Sequence, residues 1–182
     1  MNKKVFKTMI ALVVIFLIAL YVLKIFFPEQ FVMSIENENL IAIGNYIDNN
    51  TWAYYLFGIA TSFLTYWLYL CAVCKQWYLK WWQCLIVLGV IGLSIGLNFV
   101  DVNLCSAFNV ISMMILPIMF KANTKITLIV FSIHYLAQAL TLLIRNLPVY
   151  MVNINSLIFT FVTIEMYFWL LLFYIYYNYK EK

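Results

Sequence analysis

Apolar runs of about membrane-crossing length, separated by short clusters of charge and amide, constrain this chain more than any motif in it. A helix needs about 20 largely apolar residues to cross the hydrocarbon core of a bilayer. Reading the runs against their polar breaks gives six such segments. They span Val5 to Phe27 (ending before Pro28), Thr51 to Cys74, Trp82 to Val100, Leu104 to Phe120, Ile126 to Ile144, and Ser156 to Tyr177. The fourth is short and is bent or shortened at Pro117, and only Asp101-Val102-Asn103 separates it from the third. Of the 182 residues, 66% are hydrophobic and 10% charged. A soluble domain carries about 45–50% and about 25%. So few charges cannot cover a water-facing surface, which excludes a soluble enzyme, a nucleic-acid binder and a disordered tail. The expected fold is all-α: a polytopic integral membrane protein forming a single transmembrane domain over residues 1–182, with the lipid bilayer as its partner.

Lysine and arginine accumulate in cytoplasmic segments, and that rule orients the six helices. With the N-terminus inside, the inner segments hold Lys3, Lys4, Lys7, Lys75, Lys80, Lys121, Lys125, Lys180 and Lys182. The outer segments hold Glu29, Glu36, Glu38, Asp48 and Asp101, with Arg145 the one basic residue at an outer end. Lys24 reaches the outer surface by snorkelling. Both termini are therefore expected inside a cell membrane. The net charge of +4 reflects anchoring, with no nucleic-acid partner implied. Trp52 at the outer edge, and Trp77, Trp81 and Trp82 at the inner edge, fit the interfacial belts of such proteins. The basic, then apolar, N-terminus is of full membrane length with no small-residue cleavage site after it, and reads as a retained first helix. The long outer loop from Glu29 to Asn50 places Phe31, Ile35, Leu40, Ile43 and Ile47 among acids and amides. It reads either as an interfacial helix or lid, or as an ordinary connection.

Polar groups inside the spans are costly and are the candidates for function. In the fifth helix Thr127, His134, Gln138, Thr141 and Arg145 fall on one helical stripe. Glu165 lies near mid-depth in the sixth, at the level of His134, with Ser156, Thr160 and Thr163 above it. Ser94, Asn98 and Asp101 form a second stripe in the third, and Asn103, Ser106 and Asn109 occupy the outer half of the fourth. Two arrangements give this distribution. One is an outward-open site for a small-molecule ligand, formed by Asn98, Asp101, Asn109, His134, Gln138, Arg145 and Glu165, with Trp169 stacking on the ligand. The other is a set of interhelical hydrogen bonds worth about 0.6–2 kcal/mol each, as in a structural, accessory or immunity-type membrane protein.

The remaining motifs are short. Gly92-Leu93-Ser94-Ile95-Gly96 matches the G-x-S-x-G of hydrolases, which needs a strand–turn–helix setting. Within a membrane helix, Gly89, Gly92 and Gly96 read as a small face for close packing. Cys71-Ala72-Val73-Cys74 is a lone C-x-x-C on a reducing face, and Cys71, Cys74, Cys84 and Cys105 read as free thiols filling apolar space. With a single histidine no multi-histidine metal centre forms, and no motif implies a cofactor. Asn49-Asn50-Thr51 matches a glycosylation sequon, which has meaning only in a glycosylating host. The aromatic residues of the sixth helix's inner half, Tyr174, Tyr176 and Tyr177 among them, read mostly as lipid-facing and interfacial anchors.

Six helices, inside termini and a long outer first loop resemble the substrate-binding S components of energy-coupling-factor transporters. That resemblance rests on architecture over the whole chain. It implies a small-solute binding or uptake subunit that works with a transmembrane coupling subunit and ATPases. The helix count and first loop also resemble the rhomboid intramembrane proteases. That likeness implies an intramembrane hydrolase using Ser94 and His134. Here, however, the serine lies on the third helix and Tyr135-Leu136-Ala137 follow the histidine, where the family has its serine on the fourth helix and glycines after its histidine.

Overall fold

The computed structural model describes residues 3–27, 38–145 and 164–180. Among these the chain is all-helical: α1 (Lys3–Phe26), α2 (Glu38–Asn49), α3 (Thr51–Val73), α4 (Trp81–Asn98), α5 (Val102–Met119), α6 (Thr124–Arg145) and α7 (Ile164–Lys180). Among the described residues three helices are long and apolar enough to cross a membrane: α1 through Lys4–Leu23, α3, and α4. Shorter apolar stretches, Ala107–Met119 and Thr124–Leu136, lie in α5 and α6. The expected loop from Glu29 to Asn50 contains a helix, α2, that opens on Glu38, whose charge complements the N-terminal dipole. The expected sixth helix is described only from Ile164 onward; its start at Ser156, with Thr160 and Thr163, lies outside the described residues.

Two compact units make up the chain. The first comprises residues 1–58 and 134–172. On α1, Val13, Leu17 and Leu20 form the buried stripe, at steps of four and three. Phe16 stacks on Phe168 of α7 with ring centroids 4.1 Å apart. At the α2–α3 junction the Asn50 side chain donates to the Tyr46 carbonyl at 2.7 Å, so the first helix ends in a local cap and the next begins one residue later.

The second unit comprises residues 59–133 and 173–182. Its centre is the C-terminal end of α3, where Tyr69 through Val73 are fully buried in succession. Burial all round the helix, instead of along one stripe, marks an element enclosed by others. On α4 the buried residues Gln83, Val87, Ile91 and Ser94 form a single stripe, and α4 and α5 pack together as a helical hairpin. The glycines expected to make a close-packing face on α4 do not do so: a Cβ added to Gly89, Gly92 or Gly96 meets nothing within 4 Å. They lie on the exposed side, because Ser94 and its stripe turn the other side of α4 inward.

Both α3 and α5 end in a Schellman turn. After α3, Gln76 N–H bonds to the Cys71 carbonyl at 3.0 Å and Lys75 N–H to that of Ala72 at 3.3 Å. After α5, Ala122 N–H bonds to the Pro117 carbonyl at 2.8 Å and Lys121 N–H to that of Ile118 at 3.0 Å. The left-handed position is taken in both by lysine, with φ of 54° at Lys75 and 56° at Lys121, where glycine is the usual residue. A cation at a helix C-terminus is favoured by the dipole, which offsets part of the backbone strain.

Candidate functional site

The polar side chains of α4 and α5 close on one another. Ser94 Oγ donates to Asn109 Oδ1 at 2.9 Å, and Asn109 Nδ2 donates to Cys105 Sγ at 3.6 Å. Ser94 Oγ and Cys105 Sγ are 3.2 Å apart. Since the one hydroxyl proton of Ser94 goes to Asn109, the thiol is the donor in that third contact. The three side chains therefore form a ring in which each donates to the next. The network continues along α5 and into α3: Ser112 Oγ donates to the Asn109 carbonyl at 3.0 Å. With its own proton so engaged, Ser112 accepts from the Tyr66 hydroxyl at 2.6 Å. One turn on, Tyr69 Oη donates to the Met113 carbonyl at 2.9 Å. In an apolar medium such closure matters, because an unmade hydrogen bond there costs more than in water.

Of the residues singled out in the sequence, Asn109 lies inside this ring. Asp101 is exposed and its Oδ1 accepts the Leu104 N–H at 3.1 Å, making it the N-cap of α5. Asn98 is exposed in the last turn of α4. On α6, Thr127 Oγ1 donates back to the Asn123 carbonyl at 3.0 Å, so its hydroxyl is satisfied within its own helix. His134 is buried at 6% exposure. It meets Tyr135 edge-on, and among the described residues its Nδ1 has no hydrogen-bond partner. The helices α6 and α7 include Gln138, Arg145 and Glu165, but these three side chains fall outside the described residues. Trp169 lines a wholly apolar groove of about 280 Å³ against Val14, Leu17, Ile18 and Phe26 of α1. Among the described residues, no carboxylate, amide or imidazole lines that groove.

A second polar cluster, which the sequence reading missed, sits where α3 and α4 connect. Gln83 Oε1 accepts both the Lys80 N–H at 2.8 Å and Gln76 Nε2 at 3.0 Å, reaching back from the N3 position of α4 as in half of a capping box. From α7, Tyr174 Oη donates to the Trp77 carbonyl at 2.7 Å. Asn178 Nδ2 donates to the carbonyls of Cys71 at 3.3 Å and Tyr174 at 2.9 Å. Tyr174 is thus a structural donor between two tryptophan rings, Trp67 and Trp77. The one available sequence signal was Asn178, an amide amid aromatic residues.

The four cysteines are free thiols. Among the described residues no group of three His, Cys, Asp or Glu side chains is placed to hold a metal ion. No protein-family model, curated protein or solved structure matches this chain.

Proposed function

We propose that the chain is a multi-pass cell-membrane protein with six spans and both termini inside, and that it serves as a structural or accessory component of the bilayer. In this reading its buried polar residues hold its own helices together. The observation that carries the reading is the closed ring of Ser94, Cys105 and Asn109. Each member donates to a neighbour within the protein, which is what a role in holding helices together requires. Among the described residues the lining of the groove beside Trp169 is apolar, which supports this reading, since a vitamin-like or zwitterionic solute needs convergent polar groups.

A second reading, a small-solute binding subunit working with a transmembrane coupling subunit and ATPases, is favoured by one observation. His134 presents a buried, unpartnered Nδ1, a group that a ligand donor would satisfy. Thermal-shift screening of the purified chain against vitamins, amino acids and nucleosides separates the two, because a bound ligand stabilises by mass action. The accessory reading expects no saturable shift. A saturable shift that disappears in His134→Ala overturns it in favour of the second. Reporter fusions placed after residues 50, 78, 101, 122 and 182 test the six-span topology. They are expected to alternate out, in, out and in, and then to report inside at the C-terminus.

A further inference from the structure

Among the described residues, one end of the second unit collects cations and aromatic rings without acids. At the α3–α4 connection, Tyr78 is 73% exposed and Trp81 76%, and Trp82 is exposed beside them. Lys80, between these rings, is also exposed. Trp82 meets Phe120 edge-on with ring centroids 5.3 Å apart. That contact brings the start of α4 against the end of α5, and so sets Lys80 beside the α5–α6 connection that carries Lys121 and leads to Lys125 in the first turn of α6. Both of those lysines are exposed. The second unit contains two acids, Asp101 and Glu181. Asp101 follows the far end of α4, an 18-residue helix of about 27 Å, and Glu181 lies outside the described residues between Lys180 and Lys182. Neither α4 nor α6 has an acid in its first turn. Among the described residues, no carboxylate pairs with Lys80, Lys121 or Lys125.

The surface is also held in place. Leu79 is buried at 6% exposure, Gln83 fixes the Lys80 N–H and Tyr174 fixes the Trp77 carbonyl. A loop so anchored presents Tyr78, Lys80 and Trp81 outward with little ordering cost on binding. Exposed lysines among interfacial tyrosine and tryptophan are the chemistry that meets a negatively charged headgroup layer: rings seat at the interface and ammonium groups reach the phosphates.

We infer that this end of the second unit, through Lys80, Lys121 and Lys125 with Tyr78, Trp81 and Trp82, is a docking surface for anionic phospholipid headgroups. The inference rests on the proposed membrane-spanning reading and adds a lipid preference to it. The charge complementarity is one-sided, since no acid of the described unit lies at this end to compete for the lysines.

The test uses the full chain in nanodiscs of phosphatidylcholine alone and of phosphatidylcholine mixed with phosphatidylglycerol. Phosphatidylglycerol is expected to raise the thermal midpoint by several degrees at low salt, and the gain is expected to fade as salt screens exposed charge. The triple variant Lys80→Gln, Lys121→Gln, Lys125→Gln is expected to keep its midpoint in phosphatidylcholine and to lose the phosphatidylglycerol gain. An equal midpoint for the wild type in the two lipids overturns the proposal, as does a gain that survives in the triple variant. Should the variant not fold, the wild type decides alone: native mass spectrometry must show phosphatidylglycerol retained over phosphatidylcholine in a salt-sensitive manner, and equal retention overturns the proposal. Failure of the membrane reading itself is distinguishable, because the chain then does not enter nanodiscs of either composition.

Discussion

The Tyr69 hydroxyl donates at 2.9 Å to the carbonyl of Met113, the same carbonyl that Pro117 leaves without its helical N–H. Proline four residues on supplies no donor and pushes its ring toward that carbonyl. A buried carbonyl freed in this way is satisfied by a neighbour, and here the neighbour is a tyrosine with no exposed surface. The pair explains how a proline is accommodated inside α5, and it is one of the contacts that fix α3 against α5.

Replacing Tyr69 by phenylalanine removes the donor and keeps the ring, taking one hydrogen bond from the buried Met113 carbonyl. The expected loss is about 1–2 kcal/mol of stability. In a Pro117→Ala background the helix regains its own N–H, and the Tyr69→Phe cost is expected to shrink by about half or more. Unfolding of the four proteins of this cycle by denaturing detergent measures the coupling. Equal costs in the two backgrounds would falsify the link between tyrosine and proline.

The Ser94–Cys105–Asn109 ring predicts non-additivity. Asn109→Ala removes both an acceptor for Ser94 and a donor to Cys105, so a following Ser94→Ala has little left to remove. The coupling energy between the two substitutions is expected at about 0.6–1.7 kcal/mol, the range for polar pairs within membranes. A coupling near zero in the same detergent-unfolding cycle indicates that the ring does not form. Because Cys105 is itself a member, Cys105→Ala is expected to reduce that coupling only modestly, a thiol being a weak donor and acceptor.

The helices themselves were largely legible in the sequence. Runs bounded by Pro28, Lys75, Asp101 and Lys121 give segments whose ends differ from those of α1, α3, α4, α5 and α6 by at most two residues, because long apolar runs and polar breaks act locally. Rotation about each helix axis was not legible. Gly89, Gly92 and Gly96 were expected to face a neighbour, whereas the Gln83–Ser94 stripe does so. Tyr66, Tyr69 and Tyr174 were indistinguishable from lipid-facing aromatics, since phenols among 14 tyrosines differ only by which carbonyl or hydroxyl stands opposite. The same blindness touched the site. Asn109 and Asp101 were found as polar residues, but their partners Cys105 and Leu104 are set by the turn of α5.

Lys121 occupies left-handed backbone at φ 56° and is exposed, so glycine there removes strain without opening a cavity. The strain of a non-glycine residue is about 1–2 kcal/mol, and glycine's greater unfolded-state entropy returns about half of it. Lys121→Gly is therefore expected to gain about 0.5–1 kcal/mol in phosphatidylcholine, read from the detergent-unfolding midpoint. At Lys75 the same change is expected to gain less, because that side chain is half-buried and its contacts are lost. No gain at Lys121 shows that the lysine at the end of α5 contributes as much through the helix dipole as the strain costs.

His134 is the residue on which the two functional readings divide. Its ring is buried at 6% exposure and Nδ1 carries no partner, so the folded state bears the desolvation of a group that water satisfied before folding. An apolar side chain of similar reach removes that burden. His134→Leu is expected to stabilise the chain by about 1 kcal/mol in the detergent-unfolding assay, with its midpoint unmoved by any solute in the screen. A loss of stability of 1 kcal/mol or more, on the order of a satisfied buried hydrogen bond, shows instead that the imidazole is held by a partner in the folded protein. In that event the orphaned nitrogen no longer argues for a ligand, and the solute-binding reading loses the observation that favours it.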